Sequence, residues 1–209
     1  MKHITVPVGE LSTNCYIVWD ETAKKGIVID PGAEGDRIIN EIKKLDLSIE
    51  YVVFTHFHFD HVLGYYDIKK YFPTLIPLVS EKEEPALFDP SRSLLMYANE
   101  GFEKLSGYKT LCEGDEISFG NEKLRVIETP GHTEGSICLY REGILFSGDT
   151  LFSGSVGRWD FPGGSFKDEI MSVKNKLFTL PDNTLVFPGH GESTSIGYEK
   201  KHNSIVNSI

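Results

Sequence analysis

Hydrophobic and polar residues alternate in short runs over the first thirty positions of the chain, a pattern typical of β-strands. The runs read HITVPV, NCYIVW and GIVID, and turn residues at Gly9, at 24–26 and at 30–32 separate them. We predict adjacent antiparallel strands here. From 34 to 45 the apolar residues change to helical spacing, and the β-branched run YVVFT that follows predicts a buried strand.

The rest of the chain continues this mixture of strands and helices. Strands are predicted at 76–79, 116–119, 123–129, 136–141, 143–148 and 184–189, and helices at 62–71, 166–178 and from Gly197 onward. Residues 81–109 form a charged stretch with a helical middle at 94–105. These elements predict the α/β class, as an αββα sandwich: two mixed β-sheets packed face to face with helices on both outer faces. We expect residues 1–209 to form a single domain.

Composition restricts the class of partner. The chain has 31 acidic and 21 basic residues, so its formal net charge is −10. This charge repels phosphate backbones, which argues against nucleic acid as a partner. No apolar run approaches the about 18 residues that a membrane span needs, and the N-terminus lacks a signal-peptide pattern. We therefore expect a cytoplasmic protein with no membrane partner.

The three cysteines give a further restriction. Cys15, Cys112 and Cys138 are far apart and lie outside any CxxC pattern. Neither a disulfide framework nor a thiolate zinc finger is therefore expected. We predict that all three are small buried hydrophobic residues.

A dense group of candidate ligands follows the YVVFT strand. The segment reads THFHFDH, and its polar members are His56, His58, Asp60 and His61. His56 and His58 share a face in an extended segment, whereas the adjacent Asp60 and His61 diverge unless the chain turns. A strand that ends in a loop at this point can supply ligands to two neighbouring metal ions.

Three more candidate ligands lie beside glycine at the ends of predicted strands: His132 in PGHT, Asp149 in SGDT and His190 in PGHG. Glycine lets the backbone approach an ion closely and tolerates positive φ. A carboxylate can bridge two cations, whereas a neutral imidazole gives one nitrogen to one metal. These seven ligands suffice for two divalent ions. This ligand set, which lacks thiolates, suits Zn²⁺, which we expect first, and also Fe or Mn.

The motifs H-x-H-x-D-H, G-H-T, G-D-T-L-F and G-H-G occur in this order, and the chain thereby resembles the metallo-β-lactamase superfamily over essentially its whole length. Its segments GDTLFSGSVGRWDFPGGS and GHGESTSIGYEKKHN are similar to those of short, single-domain glyoxalase II-like hydrolases. The resemblance implies two sets of metal ligands that share Asp149 as a bridge. The first set is His56, His58 and His132, and the second is Asp60, His61 and His190.

Hydrolysis of an acyl thioester is the activity that this resemblance implies, with S-lactoylglutathione as the reference substrate. A hydroxide held between the metals would attack the carbonyl, and we expect catalytic roles for Asp149 and for Asp60, which can orient the hydroxide. A thiolate leaving group, with a pKa of about 8.5, departs without a strong general acid. Arg158 is either an anchor for a carboxylate of this small-molecule substrate or half of a loop ion pair.

Several alternatives stay open. The main one is a persulfide dioxygenase with a single iron, which metal count and O₂ consumption would distinguish. True β-lactamases are disfavoured, because they place a cysteine where this chain has Asp149. Asp30, in a DPG turn, is either a simple turn residue or a brace for a metal ligand. The aromatic residues Phe152, Trp159 and Phe161 are expected to pack rather than to line a pocket.

Overall fold

The computed structural model describes residues 1–98 and 104–208, and its first sheet holds the N-terminal strands. Its six strands lie side by side in chain order: β1 (Lys2–Val8), β2 (Thr13–Trp19), β3 (Lys25–Ile29), β4 (Ser48–Val53), β5 (Ile76–Ser80) and β6 (Lys109–Leu111). β1, β2 and β3 pair antiparallel, as the sequence predicts, and β3 to β6 pair parallel.

The second sheet holds strands of the C-terminal half. Its members are β7 (Glu116–Phe119), β8 (Glu122–Glu128), β9 (Ile137–Arg141), β10 (Ile144–Gly148), β13 (Leu185–Pro188) and β14 (Thr194–Ser195). They lie in the order β14, β13, β10, β9, β8, β7, with β10 and β13 parallel and the other neighbours antiparallel. A small hairpin of β11 (Leu151–Phe152) and β12 (Ser155–Val156) leaves this sheet after β10.

The helices are short. They are α1 (Gly35–Lys44), α2 (Phe59–Val62), α3 (Tyr65–Tyr71), α4 (Phe166–Asn175), α5 (Ile196–His202) and α6 (Ser204–Asn207), with 3-10 helices at Glu81–Leu87, Leu95–Tyr97 and Leu177–Thr179. Within the described part of the chain, no helix combines the length and the apolar character that crossing a bilayer requires.

Strand β2 shows why the two sheets form a four-layer sandwich. All seven of its residues are buried, so both faces of the strand are covered. Tyr16 and Val18 pack between the two sheets, whereas Ile17 faces an outer cluster that contains Ile38 and Ile68 of the helices α1 and α3. A third cluster joins the outer face of the second sheet to α4, α5 and α6. The predicted αββα sandwich is confirmed.

Two helix predictions change in detail. The helix predicted at 62–71 is interrupted, since α2 ends at Val62 and α3 begins at Tyr65. Gly64 lies between them, and a methyl group on it would be 2.7 Å from the carbonyl oxygen of Ala33. The helix predicted at 94–105 is a single 3-10 turn at Leu95–Tyr97 among the residues that are described, and 99–103 lie outside them.

One cysteine prediction is wrong. Cys15 and Cys138 are buried, as expected, but Cys112 is exposed. It follows the edge strand β6 directly, and its Sγ lies 3.2 Å from Oε2 of Glu81. Its position just past the end of a strand is decided by the fold, and the residue type alone does not reveal it.

The ends of four strands meet at one edge of the sandwich. Asp30 follows β3, Thr55 lies just past the end of β4, and Asp149 follows β10. Gly189, which follows β13, donates its N–H to Gly148 O at 2.8 Å, and its carbonyl accepts from Asn14 N at 2.7 Å. Backbone bonds therefore connect the two sheets where the candidate ligands lie.

Candidate metal centre

The segment from Thr55 to His61 passes through the core on the way from β4 to α2. Phe54 and Phe57 are almost fully buried, and their rings pack edge to face with centroids 5.5 Å apart. With these two phenylalanines fixed in the core, the rings of His56 and His58 lie 4.7 Å apart. The first turn of α2 supplies the turn that brings the adjacent Asp60 and His61 together, with Oδ2 of Asp60 3.4 Å from Nε2 of His61.

The first group of ligand candidates is His56, His58 and His132, all buried. Nε2 of His132 lies 2.9 Å from Nδ1 of His58. Nδ1 of His132 lies 2.6 Å from the carbonyl oxygen of Arg158. Because a carbonyl only accepts, Nδ1 carries the proton and Nε2 keeps its lone pair.

The orientation of His56 follows by the same logic through two links. The hydroxyl of Thr55 donates to Oδ2 of Asp30 at 2.6 Å. The Thr55 oxygen therefore accepts from Nδ1 of His56, which is 3.1 Å away. Nε2 of His56 is left with a lone pair that faces the centre.

The second group is Asp60, His61 and His190. Nδ1 of His61 donates to Oδ2 of Asp30 at 3.0 Å, and Nδ1 of His190 donates to Leu11 O at 3.2 Å. Both Nε2 atoms then converge: they are 3.4 Å apart, and Nε2 of His190 is 3.2 Å from Oδ2 of Asp60. The second group thus presents two imidazole nitrogens and one carboxylate oxygen to a common point.

Asp149 lies between the two groups. Its Oδ1 is 3.5 Å from Nε2 of His61. Its Oδ2 is 3.7 Å from Nε2 of His132 and 3.5 Å from Nε2 of His190. One carboxylate therefore faces nitrogens of both groups, which is the position that a bridging ligand requires.

These side chains fit divalent cations. Ligand atoms about 2.1 Å from an ion at tetrahedral angles lie about 3.4 Å apart, and the three edges of the second group measure 3.2, 3.4 and 3.4 Å. Among the buried polar atoms of the described residues that have no hydrogen-bond partner, two belong to candidate ligands and lie at the centre: Nε2 of His56 and Oδ1 of Asp149. Buried polar atoms without partners are unfavourable, and cations would satisfy the lone pairs that face the centre.

Burial and charge set the protonation of the first group. Desolvation lowers the pKa of His56 and His58 well below the usual histidine value, and it also lowers the pKa of His132. Neutral imidazoles are the form that binds a metal. The first group is therefore ready to ligate at neutral pH.

The second group differs. Burial opposes a charge on His61, but the carboxylates of Asp60, Asp149 and Asp30 outweigh it and raise the pKa to about 10. Burial likewise opposes a charge on His190, yet its hydrogen bond to Asp60 and the charge of Asp149 raise its pKa. A cation that binds here has to displace protons.

Comparison with known proteins agrees with this geometry. The family model described as "Metallo-beta-lactamase superfamily" matches residues 8–190. The chain belongs to this superfamily. Among curated proteins, it is 34% identical over 210 residues to the hydroxyacylglutathione hydrolase GloC of Haemophilus influenzae, with 97% of each chain covered. The resemblance predicted from the sequence motifs is confirmed.

Solved structures give the same result for the fold. The B3 metallo-β-lactamase BLEG-1 has a TM-score of 0.90 at 31% identity, with 98% of this chain and 99% of that one covered. TTHA1623 in a di-iron-bound form has a TM-score of 0.85 at 32% identity, with 96% of this chain and 98% of that one covered. ETHE1 from Myxococcus xanthus has a TM-score of 0.82 at 31% identity, with 100% of this chain and 85% of that one covered.

In this superfamily member, Asp30 is more than a turn residue. It has positive φ, and its Oδ1 accepts from Thr55 N at 2.8 Å while Oδ2 accepts from the Thr55 hydroxyl and from His61. Of the two interpretations that the sequence leaves open, the structure favours the brace. Such a partner fixes the tautomer and the ring orientation of a ligand.

Two positions beside the ligands require glycine, because neighbouring side chains lie too close to them for a methyl group. A methyl group on Gly189 would lie 2.1 Å from Oδ1 of Asp149 and 2.9 Å from Cε1 of His61. Gly148, with φ of 49°, would place one 2.5 Å from Oγ1 of Thr55. No larger side chain fits without moving the ligand Asp149 at the first position, or at the second Thr55, which orients His56.

A cavity of about 680 Å³ opens over the two groups. Phe152 and Phe161 line it, so the expectation that these rings only pack is wrong, whereas Trp159 does pack, 4.5 Å from the ring of Phe166. Arg158 lines the cavity and also forms a two-point ion pair with Asp160, at 2.9 and 2.8 Å. Both interpretations of Arg158 are therefore compatible with its position.

Sequence reasoning missed several residues that hold the ligands. The hydroxyl of Thr13 donates to Oδ2 of Asp60 at 2.9 Å, and the carbonyl of Leu11 orients His190. Glu83 and Glu169 are buried acids beside the ligand loops, and burial raises the pKa of Glu169 to about 9. No motif marks any of them, since isolated acidic and hydroxyl residues are most often solvated.

Proposed function

We propose that this metal-dependent hydrolase cleaves an acyl thioester, with S-lactoylglutathione as the reference substrate. The observation that carries the proposal is the chemistry of the cavity wall. Besides the candidate ligands, its described polar side chains are Arg158 and Tyr97. Neither type is a strong acid at neutral pH, which suits a thiolate leaving group and not one that has to be protonated.

We infer two divalent ions, with Zn²⁺ favoured and Fe or Mn as alternatives. His56, His58 and His132 would hold one, Asp60, His61 and His190 the other, and Asp149 would be shared. Such ions supply a hydroxide nucleophile near neutral pH and polarise the carbonyl oxygen of the substrate. The protein contributes the fixed orientation of each imidazole and the close approach of Asp149.

Asp60 has a second role in this proposal. Its Oδ2 is held by the Thr13 hydroxyl and by His190. Burial raises the pKa of Asp60, but these two neighbours and His61 outweigh burial, so the pKa is lowered. The carboxylate therefore stays ionised and directed at the centre. An ionised, oriented carboxylate can accept a hydrogen bond from the attacking nucleophile and align it with the carbonyl.

The substrate would lie across the cavity mouth. Leu11, Phe152 and Phe161 supply apolar walls on which an acyl or thiol chain can pack. The guanidinium of Arg158 is exposed and stacks over Phe161 at 4.1 Å, so it can exchange its partner Asp160 for a carboxylate of the substrate. We expect a small-molecule substrate and, from the sequence, a cytoplasmic location.

The deciding experiment is hydrolysis of S-D-lactoylglutathione by metal-loaded protein, beside the variant Asp149→Ala. Asp182→Ala is the matched control, because Asp182 is an exposed carboxylate paired with Lys200. Saturable turnover that Asp149→Ala abolishes and Asp182→Ala keeps supports the proposal. Absence of turnover in protein shown to hold two metals would overturn it.

The alternative is a persulfide dioxygenase with a single iron. Two histidines and one carboxylate with open positions form the usual site of such iron oxygenases, and the candidate ligands contain the residue types for such a set. The similarity to ETHE1 is compatible with this alternative. One iron per chain and persulfide-dependent oxygen uptake would favour it over thioester hydrolysis.

β-Lactam hydrolysis is tested in the same preparation. The sequence argument disfavours it because Asp149 stands where a cysteine is expected, yet BLEG-1, a B3 metallo-β-lactamase, shares the fold at 31% identity. A lactam nitrogen has to be protonated as it leaves. We therefore expect β-lactam turnover, if measurable, to be far below thioester turnover.

A further inference from the structure

Glu83 is a buried carboxylate outside the set of candidate ligands. It lies in the 3-10 helix Glu81–Leu87 after β5 and is 2% exposed. Burial raises its pKa, and three hydrogen-bond donors around it oppose that rise. A buried carboxylate is tolerated when strong hydrogen bonds satisfy it. Its donors therefore identify what the side chain holds in place.

One carboxylate oxygen reaches the loop that follows β4. Oε1 of Glu83 accepts from the backbone N–H of Phe57 at 3.0 Å. Phe57 lies between His56 and His58 in the sequence, and its ring is fully buried. The bond therefore fixes the peptide that joins two candidate ligands of the first group.

The other oxygen reaches the loop that follows β8. Oε2 of Glu83 accepts from Oγ1 of Thr133 at 2.8 Å and from Gly135 N at 3.0 Å. Thr133 follows His132 directly. A methyl group on Gly135 would lie 2.5 Å from Oε2 and 2.3 Å from the Glu83 nitrogen. The loop is thus packed directly onto this carboxylate.

We propose that Glu83 is a positioning residue that sets the first metal site and leaves the second unaffected. It connects the two loops that carry all three histidines of the first group, which come from different sheets. The second group has its own supports in Asp30, Thr13 and the carbonyl of Leu11. This inference rests on the metal binding in the proposed function, and on no particular substrate.

Glu83→Gln is the test variant. Glutamine keeps the volume but has one oxygen, so its NH₂ must point at Phe57 N–H on one side or at the two donors on the other. Either orientation leaves a donor facing a donor and releases one loop. Partners behind a metal ligand contribute about 10- to 100-fold to affinity. We expect the first site to weaken by about this factor.

The two sites are read separately by titration with Co²⁺, followed through its visible absorption. In a His190→Ala background the titration reports the first group, and in a His132→Ala background it reports the second. We expect Glu83→Gln to weaken Co²⁺ in the first background and change its absorption bands, and to leave the second background unaltered. Thr133→Val, which removes one donor only, should give a smaller change in the same direction.

Glu199→Gln is the matched control. Glu199 is also fully buried and accepts three bonds, from Gly154 N at 3.0 Å, Thr194 Oγ1 at 2.6 Å and Asn203 Nδ2 at 2.8 Å. The variant Glu199→Gln should lower the melting temperature of the protein without altering either Co²⁺ titration. Equal loss at both sites in Glu83→Gln, or no loss at either, overturns the inference. If the parent chain itself binds no metal, the proposed function fails instead.

Discussion

The two ligand groups lie side by side but differ in charge and burial. The first is three imidazoles, 1–3% exposed, whose pKa values burial lowers. The second contains His190, whose side chain is 29% exposed, and Asp60, and its two imidazoles have raised pKa values. Asp149 faces both groups. One fold thus builds a neutral site and a charged site a few ångströms apart.

The difference shows what distinguishes otherwise similar ligands. Desolvation dominates for His56, and the neighbouring histidines lower its pKa further. For His61, which is equally buried, three carboxylates outweigh desolvation. The chemical type of a ligand is therefore less informative than the charges packed around it. We expect the two sites to respond differently to mutation and to pH.

The largest effect is expected when the shared residue is changed. Asp149→Asn keeps one oxygen acceptor and loses the charge, so it can serve one group and not both. We expect metal content to fall from two ions to one per chain and kcat/KM to fall by about 10³-fold, since a metal contributes several kcal/mol to such reactions. Metal analysis beside steady-state kinetics measures both. Retention of two tightly bound ions with full turnover would contradict the shared role.

The next largest effect is a loss of metal affinity that is greater at the second site than at the first. Asp30→Asn replaces one acceptor oxygen by an NH₂, which faces either Nδ1–H of His61 or the N–H of Thr55. In either orientation a donor faces a donor, so the brace that orients His61 is disturbed. We expect the second metal to bind about 10- to 100-fold more weakly, with a smaller change at the first. Asp20→Asn serves as the control, since Asp20 is a buried carboxylate outside both ligand groups that accepts four bonds, from Thr22 N, Ala23 N and both nitrogens of Asn121.

The pH dependence sharpens the comparison further. His61 is protonated below its pKa of about 10, and the pKa of His190 is also raised, so metal binding displaces protons and affinity at the second site should rise by at least about tenfold per pH unit over pH 6.5–8.5. The first site should be nearly independent of pH there, because its imidazoles have lowered pKa values and are already neutral. Two-step metal titrations at several pH values measure both. Parallel slopes at the two sites would contradict this difference.

The smallest effect concerns the substrate and neither metal. Arg158→Ala removes an exposed guanidinium, and exposed ion pairs contribute at most about 1 kcal/mol. We expect KM to rise by no more than about fivefold, with kcat and metal content unchanged. Asp160→Asn, which releases Arg158 from its ion pair, should not raise KM. A large fall in kcat for Arg158→Ala would instead indicate that the loop that orients His132 has moved.

How much of the site the sequence predicts depends on how local its cause is. His56, His58, Asp60 and His61 are found together because one strand end and one helical turn bring them together. Glu83 has no such context: it is one of 31 acidic residues, in a stretch whose structure the sequence leaves uncertain. Its burial follows from packing against the loop at Gly135, 52 positions away. Propensity and spacing carry no information on such a contact.

The sequence by itself determines the alternation of strands and helices, the αββα layers and the chemical nature of the seven candidate ligands. Tertiary structure decides which nitrogen of each histidine is free, which neighbouring residues orient the ligands and which group is charged. The physical reason is distance along the chain. The partner that orients His190 is the carbonyl of Leu11, 179 positions away, and only the folded sandwich brings the two within 3.2 Å.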